Sequence, residues 1–108
     1  MSEQQFSSAM AEFDAAIKLN PAEYNSYLSR GRIELQSFNY DAAIRDFARA
    51  AHISETPEVI FRLGYAFEMK GEAQRAADAY KAALQLAPEF GEAKARLDAL
   101  RAGKGTPQ

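Results

Sequence analysis

The chain of 108 residues contains no cysteine, which excludes disulfide bonds and thiolate metal sites. It has one histidine, His52, and no cluster of histidine and carboxylate residues at metal-ligand spacing. We therefore expect no metal, no cofactor and no enzyme activity. No apolar run approaches the roughly 18 residues that a membrane span needs, so we expect no membrane insertion. The net charge of -2 argues against a general nucleic-acid binder, because such a protein needs a basic surface.

The first residues, Met1–Gln5, show no basic segment followed by an apolar one, so no signal peptide is visible. We expect a cytoplasmic protein, although a chain without cysteine fits the periplasm equally well. The sequence is also compatible with a fragment of a longer protein. Its length and its 47% hydrophobic content are those of one folded domain, which we expect to span residues 1–102.

Turn signals such as Asn20-Pro21, Gly71 and Ala87-Pro88 divide the chain into segments of helical length. Apolar residues recur within the segments at spacings of three and four, and no stretch alternates by two as a strand would. The predicted helices cover about residues 3–19, 22–36, 40–53, 57–70, 73–86 and 89–102. The short connections predict that successive helices are antiparallel neighbours.

One pattern of small and aromatic residues occurs twice, 33 positions apart. Such a period is typical of helix–turn–helix arrays, and small residues opposite aromatic rings let two helices cross closely. We expect close helix contacts at Gly64 and Ala76. The pattern is Tyr27, Gly31, Tyr40, Ala43, Phe47 and Ala50, and then Ile60, Gly64, Ala73, Ala76, Tyr80 and Ala83.

The second stretch resembles a tetratricopeptide repeat (TPR), from Ile60 and Gly64 through Tyr80 to Pro88. The resemblance covers about residues 6–101 and implies an all-α, right-handed α–α superhelix of about two and a half repeats with a capping helix. The implied divisions are a half repeat at 1–20, repeats at 21–54 and 55–88, a capping helix at 89–102 and a disordered tail at 103–108. An unrelated six-helix bundle is the alternative. The first repeat departs from the family pattern at Arg30, Glu34, Phe38 and Glu55.

Two of the differences between the repeats are charges. Arg30 and Asp46 in the first repeat correspond to Leu63 and Ala79 in the second. If the two positions face each other, the first repeat uses an ion pair where the second uses apolar packing. We therefore predict an ion pair between Arg30 and Asp46; two unrelated surface charges are the alternative.

The TPR resemblance implies a non-catalytic adaptor or scaffold that binds a peptide segment of a partner protein in a concave groove. The first helices of the repeats line that groove in the family. Apolar side chains and arginine forks there would suit an acidic-hydrophobic peptide. Alternatively, Leu28 and Phe61 complete the packing between adjacent repeats. The peptide-binding residues that the resemblance implies in this groove are Asn25, Leu28, Arg32, Leu35, Phe61, Arg62, Tyr65, Met69 and Arg96.

The first predicted helix matches only the second helix of a repeat, so its apolar face lacks one of its usual neighbours. Monomeric proteins rarely leave large apolar patches in water. Another copy, a partner helix, or a helix from a longer natural chain could cover this face. We favour a homodimer, which makes self-assembly the alternative function. The self-association residues are Phe6, Ala9, Met10 and Phe13.

Overall fold

A computed structural model describes residues 2–103, which form six α-helices and no β-strand. The predicted all-α class is therefore confirmed. The predicted tail lies outside the described residues except for Gly103. The helices are α1 (Glu3–Leu19), α2 (Tyr24–Gln36), α3 (Tyr40–Ile53), α4 (Pro57–Lys70), α5 (Ala73–Leu86) and α6 (Gly91–Arg101).

Local hydrogen bonds decide where these helices begin. The Thr56 hydroxyl accepts from the backbone N–H of Val59 at 3.2 Å, which places the start of α4 at Pro57 as predicted. Helix α2 begins two residues later than predicted, because the Glu23 carboxylate caps it by accepting from the backbone N–H of Asn25. Helix α6 also begins late, since the residues after Ala87 first form a turn.

The chain divides into two compact units between Ser54 and Glu55. Unit 1 contains α1, α2 and α3. Its α2 and α3 approach closely at Gly31, where an added Cβ would lie 2.8 Å from Cε1 of the fully buried Phe47. Helix α1 packs against α2 but contributes no fully buried residue, so it is the least enclosed helix of unit 1.

Unit 2 contains α4, α5 and α6. A Cβ added to Gly64 would lie 2.9 Å from Cε1 of Tyr80 and 3.1 Å from Cβ of Ala79. The close contact predicted at Gly64 is present, and its nearest atoms belong to Tyr80 and Ala79. Ala76 is fully buried, in a cluster with Tyr80 and Leu97 of α6. In both units, therefore, a glycine packs against an aromatic ring where two helices cross, α2 and α3 in unit 1 and α4 and α5 in unit 2.

Candidate functional site

Helix α2 turns one side toward α3 and a second side away from it. Tyr27 and Gly31 on the first side are buried. The second side brings together four of the predicted peptide-binding residues at spacings of three and four, so they share one helix face. Two of them are exposed, Asn25 and Arg32, and two are half-buried, Leu28 and Leu35. We call these four residues the α2 face.

The predicted residues of α4 have different surroundings. The Phe61 ring lies 5.5 Å from the Tyr80 ring and 5.2 Å from the Phe90 ring, so it packs inside unit 2. Phe61 therefore takes part in packing within unit 2, whereas the packing between adjacent repeats stays a prediction. Arg62 donates to Oε1 of Glu58 at 3.0 and 3.2 Å, in a pair whose carboxylate is 59% exposed. Such exposed pairs are weak and exchange readily.

Tyr65 and Met69 are half-buried on the same helix, and Tyr65 is in contact with Arg96 of α6. The Arg96 guanidinium lies 5.2 Å from the centre of the Tyr65 ring. Two of the predicted peptide-binding residues, Tyr65 and Arg96, are therefore in contact within unit 2.

Arg96 is also bound to a buried carboxylate inside unit 2. Its Nε donates to Oε1 of Glu68 at 3.1 Å, and its Nη2 donates to Oε2. The Tyr80 hydroxyl donates to the same Oε1 at 2.7 Å. These hydrogen bonds to Glu68 raise the pKa of Arg96, while burial raises the pKa of Tyr80. The Arg96 guanidinium, which we expected to bind a ligand carboxylate, therefore binds the carboxylate of Glu68 instead.

The structural role of Glu68 was not predicted, although the sequence contains a signal for it. Glu68 follows Gly64 by four residues and so shares its helix face. Gly64 was already placed at the close contact between helices. A glutamate on that face must be buried, and it needs hydrogen-bond donors from its neighbours.

The ion pair predicted in unit 1 is confirmed. Arg30 donates from Nε and Nη2 to the two oxygens of Asp46 at 2.8 and 2.7 Å, a two-pronged geometry. Its Nη1 also donates to Asp14 of α1 at 2.8 Å, a contact that the repeat pattern did not indicate. Asp46 is only 5% exposed, whereas the Arg30 side chain is 21% exposed, so the pair joins a buried carboxylate to a partly exposed guanidinium.

The predicted self-association residues all lie on α1 and are half-buried: Phe6, Ala9, Met10 and Phe13. At the start of the helix, Phe6 lines a cavity of about 580 Å³ that Phe38 also lines, after the end of α2. Near the other end, Leu19 is 89% exposed.

Other chemistry is sparse. His52 is exposed at the end of α3. Within residues 2–103, no group of three histidines or carboxylates is placed to hold a metal ion. Over the same residues, every helix is too short or too polar to cross a membrane.

Comparison with known proteins assigns the family. Tetratricopeptide repeat models match residues 1–58 and residues 57–90. The chain belongs to the tetratricopeptide repeat family. Human tetratricopeptide repeat protein 6 is 34% identical over 86 residues, which are 80% of this chain and 16% of that protein. This TPR chain therefore spans a small part of its curated relative.

Solved structures show the same fold. MamA matches with a TM-score of 0.84 and 22% identity, over 94% of this chain and 61% of that one. The Yersinia enterocolitica type III secretion chaperone SycD, in complex with a peptide of the translocator YopD, matches with a TM-score of 0.77 and 24% identity. That alignment covers 94% of this chain and 93% of SycD.

The family and fold predictions are confirmed. TPR domains are in general protein–protein interaction modules, and they are typically non-catalytic. The boundaries predicted for the half repeat, the two repeats and the capping helix stay a prediction, as do the roles of the individual site residues.

Proposed function

We propose that this TPR chain is an adaptor that binds a peptide segment of a partner protein, and that the α2 face of unit 1 contributes to the binding site. The observation that carries the proposal is the α2 face. There, the exposed guanidinium of Arg32 follows one half-buried leucine and precedes another. A peptide with apolar side chains for Leu28 and Leu35 and a carboxylate for Arg32 would match this chemistry.

The three predicted arginines can be ranked as ligand contacts by the exposure of each side chain and by the carboxylate with which it is paired. Arg32 is exposed and ranks first. Arg62 ranks second, because its exposed partner Glu58 can be exchanged for a ligand carboxylate at little cost. Arg96 ranks last, since leaving the buried Glu68 without its cation would be strongly unfavourable. This ranking makes Arg32 the residue on which an acidic peptide should depend most.

Peptide binding by a similar fold supports the proposal. SycD was solved with a peptide of its translocator, so an arrangement of helices similar to this one can hold a peptide. The remaining predicted residues, Asn25, Tyr65 and Met69, add a side-chain amide, a phenol ring and a flexible thioether. Such groups suit an extended or helical segment.

The binding test uses short fluorescent peptides in which Asp or Glu alternates with Leu or Phe. A second set carries Lys in place of every acid. We expect anisotropy to show binding of the acidic set only, and Arg32→Glu to weaken it about tenfold at low salt. Arg101→Glu, the same charge change at an exposed site on α6, is the matched control and should leave affinity unchanged. Equal weakening by the two variants would contradict a site on the α2 face.

Self-assembly through α1 is the second candidate, favoured by the absence of any fully buried residue on that helix. A second copy would cover Phe6, Ala9, Met10 and Phe13. The two functions separate in one measurement on the peptide-free protein. Light scattering at rising concentration gives a constant monomer mass for a peptide-binding adaptor, and a mass that grows to a dimer for a self-assembly module.

A further inference from the structure

Helices α1, α3 and α5 end in the same way. The backbone N–H of the residue after each helix, Asn20, Ser54 or Ala87, donates to the carbonyl oxygen of the alanine four residues earlier. This shared end aligns the helices, so that each residue of α1 corresponds to the residue of α3 that lies 34 positions later.

Four of the aligned positions are buried in α3 but not in α1. In α3, three of them are fully buried and Asp46 is 5% exposed. In α1, three of them are half-buried and Glu12 is exposed. The four residues of α3 are Ala43, Asp46, Phe47 and Ala50, and those of α1 are Ala9, Glu12, Phe13 and Ala16. We call the four residues of α1 the α1 strip.

The Phe13 ring limits which residue can lie opposite it. Its counterpart Phe47 packs against Gly31 of α2, where an added Cβ would lie 2.8 Å from Cε1 of the ring. Tyr80 packs against Gly64 of α4 in the same way. A helix that approaches the α1 strip as closely needs a glycine opposite Phe13, because a larger residue would hold the two helices apart.

The charge of Glu12 indicates which residue should accompany that glycine. In α3, Asp46 directly precedes the ring, and it accepts two hydrogen bonds from Arg30, which directly precedes the glycine of α2. In α1, Glu12 directly precedes Phe13, and no described cation forms an ion pair with it. An open depression of about 630 Å³ lies beside Glu12. An incoming arginine would therefore have both a carboxylate to bind and the space to reach it.

We propose that the α1 strip is a docking site, separate from the α2 face, for an amphipathic helix of a partner protein in which an arginine directly precedes a glycine. The partner helix would lie on α1 as α2 lies on α3. No described helix of a second copy offers this pair of residues on its surface. The glycines of α2 and α4 are covered by Phe47 and Tyr80, and the exposed Gly91 of α6 follows a phenylalanine.

A synthetic peptide with the sequence of residues 22–37 is the probe, since it contains the arginine and glycine of α2. The peptide is acetylated, amidated and fluorescent, and it is mixed with the full chain. We expect anisotropy to show saturable binding, and Glu12→Arg in the protein to weaken it about tenfold or more at low salt. Glu89→Arg, the same charge change at an exposed position of unit 2, is the matched control and should leave affinity unchanged. Arg32→Glu in the protein should also leave it unchanged, which separates this site from the α2 face.

Two variant peptides test the required pair of residues. A peptide with Arg30→Glu should bind the Glu12→Arg protein about as well as the unchanged peptide binds the wild type, because the two charges are exchanged. A peptide with Gly31→Leu should bind the wild type about tenfold more weakly or not at all, since leucine cannot pack closely on the Phe13 ring.

Absence of binding by the unchanged peptide would overturn the proposal. Binding that Glu12→Arg does not weaken would also overturn it, and would show that the peptide replaces α2 on α3. A wild-type chain that forms dimers in light scattering, which the peptide does not dissociate, would assign the α1 strip to a second copy instead.

Discussion

The two units pack their paired helices in the same way, α2 against α3 and α4 against α5, but they have different residue types at neighbouring positions. In both units a helical glycine meets an aromatic ring, Gly31 against Phe47 and Gly64 against Tyr80. At three positions near this contact, unit 1 has charged residues where unit 2 has apolar ones. The three charged residues of unit 1 are Arg30, Glu34 and Asp46, and their counterparts in unit 2 are Leu63, Phe67 and Ala79.

This comparison separates what the helix crossing requires from what it tolerates. The crossing requires a residue without Cβ opposite a ring, because any larger residue would hold the helices apart. The adjacent positions tolerate either a satisfied ion pair or apolar packing. Replacing such a buried pair by apolar residues often changes stability little, whereas removing one partner is costly.

A second comparison concerns the arginine position itself. Arg96 lies two sequence periods after Arg30, with Leu63 between them. Arg30 pairs with Asp46 of the next helix, whereas Arg96 pairs with Glu68 of an earlier one. One sequence position can therefore serve two different buried carboxylates, depending on which helices surround it.

The largest expected effect comes from replacing Arg30, and then both Arg30 and Asp46, by the residues at the corresponding positions of unit 2. Arg30→Leu leaves Asp46 buried beside Glu34 without its cation, and should lower the free energy of unfolding by about 3–5 kcal/mol. Adding Asp46→Ala should recover most of the loss, because the double variant carries the residues of unit 2 at these two positions and no longer has a buried aspartate without its cation. Urea unfolding followed by circular dichroism measures all three variants. Strictly additive single changes would remove the coupling between the two side chains.

Overpacking tests the feature that the units share. Gly31→Ala and Gly64→Ala each place a Cβ within 3.0 Å of a buried ring, and each should lower stability by about 1–3 kcal/mol despite the better helix propensity of alanine. Gly91→Ala is the control, since a Cβ there meets no atom within 4 Å. Thermal unfolding should show loss for the first two variants only. A gain at Gly31 or Gly64 would mean that the rings shift freely.

The smallest expected effect lies at the ends of α2 and α4. Phe38 has a φ of 65° and is 76% exposed, while Gly71 occupies the corresponding position with a φ of 94°. Phe38→Gly should raise the free energy of unfolding by about 1 kcal/mol, because the left-handed conformation is strained for phenylalanine. The reciprocal Gly71→Ala should lower it by a similar amount. Stability lost in Phe38→Gly would instead show that the exposed ring stabilises the fold.

Much of the architecture could be predicted from sequence because the signals were local. Thr56 and Pro57 placed the start of α4 through capping, and the repeat period placed Arg30 opposite Asp46. The predicted start of α2 was less accurate, because its capping residue is Glu23, and glutamate is not among the residues that usually cap a helix. The candidate site was predicted as a set of positions, since helical spacing alone places the four residues of the α2 face together.

Sequence by itself determined the all-α class, the TPR family and the close crossing of paired helices, because period, helix caps and small residues act over short distances along the chain. Tertiary structure alone decided the remaining partners of the charged residues. Arg30 reaches Asp14 in addition to the predicted Asp46, and Arg96 reaches Glu68. These outcomes depend on distances between helices and on burial, which control the electrostatic energy of a charge and which no spacing within one helix contains.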